Sequence, residues 1–544
     1  ALTEPLPYVG VDTSMLCGRI RVVEMDSKLP DGPGENIPPE KQPIIQVDKR
    51  GRFITGMGFA KFVTAAVETD DPKIKSSCMI ILEETDPGTF DRGIATKKLV
   101  HQLSSTNDPV FNLRVPASRI IGGYTIQNGQ IVPNYTHGEV IEAVFRRTRI
   151  TVGLMTTAKL LSAIEPVIRY QRQRFRGGAS VHPGSPRHDL GLQQKEDSLH
   201  RLVDIWAAGE ASASLGFAAA RLFDDFDPLE KRKEEYCQKE NLRGRNQLRA
   251  LMKATPQALD YVKVCLDPNA SQSKKDQLKN NVLVEFMAQE ALASVLCPAC
   301  KLWNTGHGAN IMREAVSLMG GYGITEDCPG FLGNKWMDAQ LEATYEGPEA
   351  VQRRQLSVTM TSEIFLTYYN VWINDLKKIH NERNNLGAEI VAKSMDLWRF
   401  TLNFLQNTKD ATGNDLYHGT RQGVAFPMAD ALCWTLASHL QIMDTVELAE
   451  KGPQSPTLAE GLEGFVNFFS DLCQVQAIAT AGKVTQTCNE LVYGYINAKD
   501  PKLAQFDKLK SDLDHSLLGS RLAKDRAAQA LTQVMIPEAL DYPL

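Results

Sequence analysis

The first part of the chain carries short runs of β-branched and aromatic residues separated by turn-forming residues. Runs of this kind, bounded by Gly, Pro, Asp and Asn, are typical of β-strands joined by tight turns. The clearest break is the segment 29–34, Leu-Pro-Asp-Gly-Pro-Gly. The runs that predict strands are 19–23, 44–47, 52–55, 62–66, 77–82 and 110–115. With this many short strands, residues 1–138 are predicted to form an antiparallel β-barrel or sandwich domain.

After this β-domain the spacing of apolar residues changes to the helical period. From Glu139 onward apolar residues recur three and four positions apart and Pro becomes rare, which predicts helices. We therefore predict an α+β protein in which the β-domain is followed by an α-helical bundle over 139–355 and a further helical extension over 356–544. Two stretches interrupt the bundle: the Gly-rich segment 176–187 is predicted as a loop, and the charged segment 225–281 as a helical insertion on the surface.

One predicted helix of the bundle runs into a double glycine, Gly320-Gly321. Its apolar face consists of Ile311, Met312, Ala315, Val316 and Met319. A double glycine ends a helix and allows a close approach of the backbone to a ligand. Further along, Glu346 lies in a Tyr-Glu-Gly break between two polar helical runs. A single carboxylate at such a break is placed to reach into a pocket as a base.

Length and charge restrict the class of protein. A chain of 544 residues has room for roughly two to four domains. The net charge of -5 and the charged fraction of 23% predict no electrostatic attraction to nucleic acid or to a membrane surface. No apolar run approaches about 18 residues, so we expect no transmembrane helix. A cytoplasmic location in a bacterium is expected, with the mitochondrial matrix as the alternative.

Ten cysteines are scattered without a repeating framework, which is typical of reduced thiols. The CxxC motif, Cys297-Pro-Ala-Cys300, falls inside an apolar helical run. Buried helix cysteines are the favoured interpretation, and a redox pair or a metal site are the alternatives. The histidines show no metal-ligand spacing, and no metal is expected.

Two separated motifs resemble one enzyme family. The first is Gly-Gly-x-Gly at 320–323, followed by Pro329, Asp338-Ala339, Tyr-Glu-Gly at 345–347 and Gln-Arg at 352–353. The second is the start of the chain, Ala-Leu-Thr-Glu-Pro with Gly10 and Asp12, and the two occur in the family's order. Together they resemble the acyl-CoA dehydrogenases. The resemblance implies FAD as cofactor, an acyl-CoA substrate desaturated between its α and β carbons, and transfer of electrons to an electron-transfer flavoprotein.

The resemblance also implies roles for individual residues. Glu346 matches the catalytic base, and its backbone N–H matches a donor to the thioester carbonyl. The alternative position of the base in the family matches Thr148, which cannot act as a base at neutral pH. The remaining implied positions are Arg149 near the catalytic centre, Thr3 and Thr64 at the flavin, Arg174, Gly320 and Gly321 at the rest of FAD, and Phe145, Tyr345, Gly347 and Asp12 at the substrate.

Several departures from the family pattern leave alternatives open. Ser317, Met337 and Pro348 replace the residues usual at their positions, which weakens the expected contacts to the adenosine half of FAD. The family's amino-terminal helical domain has no counterpart here, so we expect it on a partner chain or before Ala1. A homo- or hetero-oligomer is expected. The alternatives to a dehydrogenase are a non-catalytic subunit of a heteromeric dehydrogenase and an acyl-CoA oxidase, and the acyl group is open.

Overall fold

The computed structural model describes residues 18–96, 106–174, 191–242, 245–267, 269–458 and 461–533. The chain divides into two compact units, Ala1–Phe145 and Arg146–Leu544. Thr3, Asp12 and the predicted loop 176–187 lie outside the described residues.

The described part of the first unit is built from antiparallel strands. They are β1 (Gly18–Glu24), β2 (Gly32–Pro33), β3 (Ile44–Arg50), β4 (Ile54–Thr55), β5 (Phe62–Val67), β6 (Cys78–Glu83), β7 (Gly88–Ala95), β8 (Thr106–Pro116), β9 (Tyr124–Gln127) and β10 (Gln130–Pro133). One sheet has the order β1-β3-β8-β4 with β7 also paired to β8, a second has the order β10-β9-β2, and β5 pairs with β6. The predicted antiparallel β-domain is confirmed.

The alternation of buried and exposed residues along the strands explains how the apolar core of this unit forms. In β8, Phe111, Leu113 and Val115 are buried, whereas every second residue between them points away. A period of two places one set of side chains on one face of a sheet. The register Val47↔Leu113 puts apolar residues of neighbouring strands side by side on the buried face. The apolar core of the first unit lies on that face.

The hairpin β9–β10 was missed by the strand prediction. Its two-residue loop is Asn128-Gly129, and both residues have positive φ, 51° and 71°. This conformation fits a type I′ turn, which joins antiparallel strands because its twist matches theirs. The Asn-Gly pair in the sequence indicates such a hairpin turn. β7 was missed as well, because its sequence, GTFDRGIA, is interrupted by Gly and charged residues.

The second unit is helical in its described part, apart from short turns. Its helices are α1 (His137–Gln173, which begins in the first unit), α2 (Glu196–Lys239), α3 (Arg245–Leu266), α4 (Gln272–Lys279), α5 (Val282–Leu302), α6 (Gly308–Leu318), α7 (Leu332–Glu342), α8 (Glu349–Thr359), α9 (Glu363–Glu382), α10 (Ala388–Gln406), α11 (Gln422–Lys451), α12 (Leu462–Tyr495), α13 (Pro501–Ser516) and α14 (Arg521–Gln533). The α+β fold class is confirmed.

The bundle and the helical extension share one apolar core. Trp303 of the bundle packs edge-on against Trp434 of α11, with ring centroids 5.4 Å apart. Trp398 of α10 is fully buried and donates its indole N–H to the Met428 carbonyl oxygen at 2.9 Å. Residues from both parts belong to one continuous cluster of buried side chains. The helices after α8 therefore stabilise the bundle by apolar burial.

The helix before the double glycine ends where the sequence predicts. α6 ends at Leu318, and Gly320 adopts a left-handed conformation with φ +61°. A glycine in this conformation is the usual way to end a helix, because it has no side chain to oppose positive φ. The prediction of the helix end is confirmed. A π-helical turn, Trp303–His307, lies between α5 and α6.

Two helical runs of the described chain are long and apolar enough to cross a membrane by length and composition. They are His137–Gln173 and Val282–Leu318, and 56% of each apolar window is buried inside the structure. The sequence analysis expected no transmembrane helix, and these two runs are candidates by average composition alone. Buried core helices have the same composition, so the finding is weak evidence for a membrane span.

The cysteines of the CxxC motif lie inside α5, as the favoured interpretation predicts. Cys297 and Cys300 are free and buried. Burial raises the pKa of Cys300 to about 12 and raises that of Cys297 further. Because the thiolate is the reactive form, these two side chains are chemically inert in the folded protein.

Candidate active site

The turn between α7 and α8 carries the predicted base. It consists of Tyr345, Glu346 and Gly347, and Glu346 has φ +57° while Gly347 has φ +89°. A non-glycine residue in the left-handed region costs about 1–2 kcal/mol, so the surrounding contacts must hold it there. Strained residues of this kind are concentrated at functional sites. Glu346 is half-buried.

The buried side-chain amide of Gln352 on α8 forms hydrogen bonds to the backbone of the turn. The Gln352 side chain is fully buried, and its Nε2 donates to the carbonyl oxygens of Gly347 at 3.0 Å and Glu346 at 3.3 Å. A Cβ atom at position 347 would lie 2.5 Å from this Nε2. Glycine is therefore required at 347 for its positive φ and for the closeness of the amide. Gln352 belongs to the Gln-Arg motif at 352–353, from which no role for its side chain was predicted.

The carboxylate of Glu346 faces α1. Thr148 on α1 donates its hydroxyl hydrogen to Glu346 Oε2 in a very close contact. The resemblance implies position 148 as the alternative site of the base, and the structure places the Thr148 hydroxyl in contact with the Glu346 carboxylate. A hydroxyl that donates to a carboxylate fixes its orientation. Thr148 therefore orients the Glu346 carboxylate.

Arg149, predicted near the catalytic centre, is buried beside Thr148. Its side chain is 3% exposed, and Nη1 donates to Gln355 Oε1 of α8 at 2.6 Å. This bond ties α1, which carries Thr148, to α8, which follows the Glu346 turn. The structure thus places Arg149 in the support of the turn.

A buried polar network lies at the end of α7, just before the turn. Glu342 is fully buried, and its carboxylate accepts hydrogen bonds from Lys159 Nζ and Thr156 Oγ1 of α1. Its backbone carbonyl oxygen accepts from Lys301 Nζ at 2.5 Å. Buried charges persist in a fold when they are paired and hydrogen-bonded, as they are here. α1, α5 and α7 therefore meet at this network.

Lys301 was missed by the sequence analysis. It is 1% exposed, on an α5 segment that is otherwise apolar. Burial lowers the pKa of Lys301 to about 8, while the carboxylates of Glu346 and Glu349 oppose this shift. Its ammonium nitrogen lies 5.9 Å from the ring centroid of Tyr345. A lone lysine within an apolar helical run was the signal, but the sequence does not reveal its partners.

Tyr345, predicted at the substrate, is half-buried beside the base. Its hydroxyl lies 3.9 Å from Met155 Sδ. Burial, together with the nearby carboxylates of Glu342 and Glu346, raises the pKa of Tyr345 well above its ordinary value. Tyr345 is therefore neutral at physiological pH.

The π-helical turn adjoins the same place. It begins directly after Leu302, and Thr305 within it donates to the Lys301 carbonyl oxygen at 2.6 Å. A side chain at Gly306 would meet the Glu349 carboxylate at the start of α8. π-turns inside α-helices are frequent at functional sites. Here the turn lets the backbone of this helical run approach α8.

The double-glycine loop and the end of α1 come together elsewhere in the second unit. The ring of Tyr170 on α1 lies 6.1 Å from that of Tyr322, and its hydroxyl is the nearest atom to a Cβ placed on Gly320, at 3.9 Å. A Cβ placed on Gly321 would meet nothing within 4 Å, so the backbone there is open. Arg174, four residues after Tyr170, is exposed. The structure thus brings the helix end carrying Arg174 to the double glycine.

Two of the predicted site residues lie in the described part of the first unit. Thr64 lies in β5 opposite Ile81 of β6 and is half-buried. Phe145 is half-buried and is the last residue of that unit. Their roles at the flavin and the substrate, and those of Thr3 and Asp12, stay predictions.

A further cluster of charged side chains joins α2 to α14. His200 Nε2 lies 3.1 Å from Asp525 Oδ1 and 3.8 Å from Glu196 Oε1. The Arg521 guanidinium Nη2 lies 2.7 Å from His200 Nδ1. With a guanidinium on one ring nitrogen and carboxylates on the other, the contacts of this cluster are those of an ion-pair network.

Comparison with known proteins supports the family resemblance. The family model described as acyl-CoA dehydrogenase, C-terminal domain, matches residues 276–360, which include the double glycine and Glu346. No curated protein matches the chain in a sequence search. Outside residues 276–360, the likeness to known proteins is therefore a likeness of fold.

The chain resembles solved structures over nearly its whole length. An acyl-CoA dehydrogenase from Bacillus anthracis, complexed with FAD, superposes with a TM-score of 0.65 at 14% identity, over 98% of this chain and 75% of that one. Acyl-CoA oxidase 1 of Arabidopsis thaliana gives 0.59 at 14% identity, over 100% and 76%. Acyl-CoA oxidase 3 of Yarrowia lipolytica gives 0.57 at 10% identity, over 97% and 69%.

The helices after residue 355 therefore have counterparts in a dehydrogenase as well as in oxidases. At such low identities the superpositions establish the fold, and the sequence match establishes the family of the segment around Glu346. Residues 276–360 match the acyl-CoA dehydrogenase C-terminal domain, and the chain shares the fold of acyl-CoA dehydrogenases and acyl-CoA oxidases.

Proposed function

We propose that the protein is a flavin-dependent acyl-CoA dehydrogenase in which Glu346 removes the α-proton of an acyl-CoA thioester. The observation that carries the proposal is the Glu346 turn, where a carboxylate is held in a strained conformation by Gln352 and oriented by Thr148. Stored backbone strain that surrounding contacts maintain is typical of a working catalytic group.

The proposed step is a proton transfer to the Glu346 carboxylate. The C–H bond at the α carbon breaks, the proton passes to a carboxylate oxygen, and negative charge develops toward the thioester carbonyl. A base must lie within hydrogen-bond reach of that proton, and Thr148 aims the carboxylate for this purpose. The backbone N–H of Glu346 is proposed to donate to the thioester carbonyl oxygen, as the resemblance implies.

FAD is proposed as the cofactor. When bound, it supplies the acceptor for the β-hydride, which no side chain provides. The open backbone at Gly321, next to the left-handed Gly320, fits a segment that a ligand approaches closely. Arg174 and the double glycine are proposed to hold the part of FAD away from the flavin ring, and Thr64 the flavin edge. One FAD-complexed dehydrogenase of this fold supports the assignment.

The proposal is tested with purified protein. A flavin absorbance is expected, and it should bleach when an acyl-CoA that the protein accepts is added without oxygen. Linear, branched, cyclic and dicarboxylic acyl-CoA thioesters form the panel, and formation of the enoyl-CoA product is followed by mass spectrometry. Glu346→Gln, which keeps the shape and removes the base, should slow bleaching strongly. Full activity of this variant would exclude Glu346 as the base and would end the proposal.

The acceptor of the electrons distinguishes two forms of the activity. We propose an electron-transfer flavoprotein as acceptor, which makes the protein a dehydrogenase. An acyl-CoA oxidase is the second candidate, supported by the full-length likeness to a plant oxidase. Stoichiometric hydrogen peroxide in air would select the oxidase. Turnover that requires an artificial electron acceptor and yields no peroxide would select the dehydrogenase.

A further inference from the structure

We propose that Asp430 of α11 is a positioning residue for the Glu346 turn. It binds Arg353 on α8, the helix whose Gln352 is hydrogen-bonded to that turn. The helical extension after α8 thereby takes part in placing the candidate base. For its catalytic consequence this inference rests on the proposed function, whereas the contacts themselves are features of the fold.

The first support is an ion pair between α8 and α11. Arg353 Nε donates to both carboxylate oxygens of Asp430, at 2.9 and 3.0 Å. Arg353 Nη2 donates to Oε1 of Glu349, the first residue of α8, at 3.4 Å. Hydrogen bonds between ionised groups are shorter and stronger than those between neutral groups. The guanidinium therefore connects the start of α8 to α11.

The second support lies at the other end of α8. Tyr417, in the segment between α10 and α11, donates its hydroxyl hydrogen to the Ser357 carbonyl oxygen in a very close contact. Ser357 belongs to the last turn of α8, where the carbonyl groups have no partner within the helix. Side chains of the extension therefore hold α8 near both of its ends.

The apolar core alone does not set the direction of the side chains on α8. Leu356 of α8 is fully buried in one cluster with Met428 and Leu432 of α11, which flank Asp430 in the chain. Apolar burial is non-directional, whereas hydrogen bonds have a defined geometry. The polar contacts at its two ends therefore fix the rotation of α8 about its axis.

The rotation of α8 reaches the turn through Gln352, the neighbour of Arg353. The Gln352 side-chain amide donates to the carbonyl oxygens of Gly347 at 3.0 Å and Glu346 at 3.3 Å. Glu346 has φ +57°, and a strained conformation persists only while its surroundings hold it. Any movement of the start of α8 moves this amide, so Asp430 acts on the turn through Arg353 and Gln352.

The test compares matched substitutions in two ion pairs of the extension. Asp430→Asn keeps the size of the side chain and removes its charge, and Asp430→Glu is the conservative variant that keeps a carboxylate. The control is Asp396→Asn, because Asp396 on α10 pairs with Lys377 on α9 at 2.9 Å, within the extension. The exposure of the two carboxylate side chains is similar, 41% for Asp430 and 32% for Asp396.

Amide hydrogen exchange of the purified full chain measures the order of α8 without turnover. The N–H groups of Val351 and Gln352 donate to the Pro348 carbonyl oxygen, at 2.8 and 3.2 Å, and report on the start of the helix. In Asp430→Asn their exchange should be about fivefold faster, the factor expected for the loss of one partly exposed ion pair. Peptides from α10 should exchange at the natural rate, and Asp430→Glu should restore slow exchange.

Steady-state kinetics with an acyl-CoA that the protein accepts measure the catalytic consequence. In Asp430→Asn, kcat should fall by about tenfold and KM should change by less than about twofold. A reacting group displaced by about 1 Å can lose about 100-fold in rate, far more than a partly exposed ion pair contributes to stability. Asp430→Glu should recover most of kcat. Asp396→Asn should keep the natural kcat.

The two measurements keep this inference apart from the proposed function. Unchanged exchange at the start of α8 in Asp430→Asn would overturn the inference, and so would equally faster exchange in α10, which indicates a loss of global stability. If Glu346→Gln retains full turnover, the proposed function fails, and exchange still reports whether Asp430 holds α8. If turnover depends on Glu346 and Asp430→Asn keeps the natural kcat, only the present inference fails.

Discussion

Replacing Lys301 with Met should change how the stability of the second unit depends on pH. The pKa of this lysine is lowered from 10.5 to about 8 by burial, against the opposing attraction of Glu346 and Glu349. Between these two values the unfolded chain binds a proton that the folded chain does not. Stability contributed by Lys301 therefore rises as pH rises from about 8 to about 10.5, and below pH 8 the buried charge costs about 3 kcal/mol.

The size of the effect at an accessible pH follows from the same two values. Between pH 7 and pH 9.5 the natural protein should gain about 2 kcal/mol relative to the Met variant, which has no proton to lose at this position. For a cooperative unit of about 400 residues, this corresponds to a shift of about 2–3 °C in the unfolding midpoint. The packing change caused by the substitution is the same at both pH values and cancels in the comparison.

Differential scanning calorimetry of both proteins at pH 7 and pH 9.5 measures this difference. Lys253→Met on α3 removes an exposed lysine in place of a buried one and serves as the control. Burial raises the pKa of Tyr345 and of Cys300 far above this range in the folded protein, so both contribute equally to the natural protein and the Met variant and cancel in the comparison. A Lys301→Met difference that stays constant between the two pH values would show that Lys301 is not held at a lowered pKa.

Three further outcomes are expected. Glu346→Gln should lower the rate of α-proton removal by about 10²–10⁴-fold, measured as flavin bleaching in a stopped-flow experiment, and an unaffected rate would exclude Glu346 as the base. Gly347→Ala should lower both the unfolding temperature and kcat, because residue 347 has φ +89° and the new Cβ would meet Gln352 Nε2. Gly482→Ala in α12 is the matched control, because a Cβ there meets nothing within 4 Å. This control substitution should be neutral or should stabilise the protein by up to about 1 kcal/mol. Among the nine described cysteines, Cys265 is the exposed one. Cys265→Ser should therefore remove one rapidly reacting thiol when the native protein is titrated with a thiol reagent. An unchanged number of rapidly reacting thiols would contradict the exposure of Cys265.

Local patterns predicted much of the fold. The change from a period of two to a helical period separated a β-domain from helices, and α1 begins at His137, next to the predicted change. Gly320 ended its helix because positive φ at a helix end is a local requirement. The Asn128-Gly129 turn of the β9–β10 hairpin is an equally local signal and was overlooked. The sequence of β7 shows no clear strand pattern, and this segment forms a strand through its pairing with β8.

The sequence by itself determined the class of fold, the end of α6 and the identity of Glu346 as the candidate base, since each depends on residues close together in the chain. Only the tertiary structure decided how that base is held. Thr148 lies 198 residues before Glu346 and Lys301 lies 41 before Glu342, so neither contact follows from local spacing. The lowered pKa of Lys301 is likewise a tertiary property, because it arises from burial among helices that meet only in the folded protein.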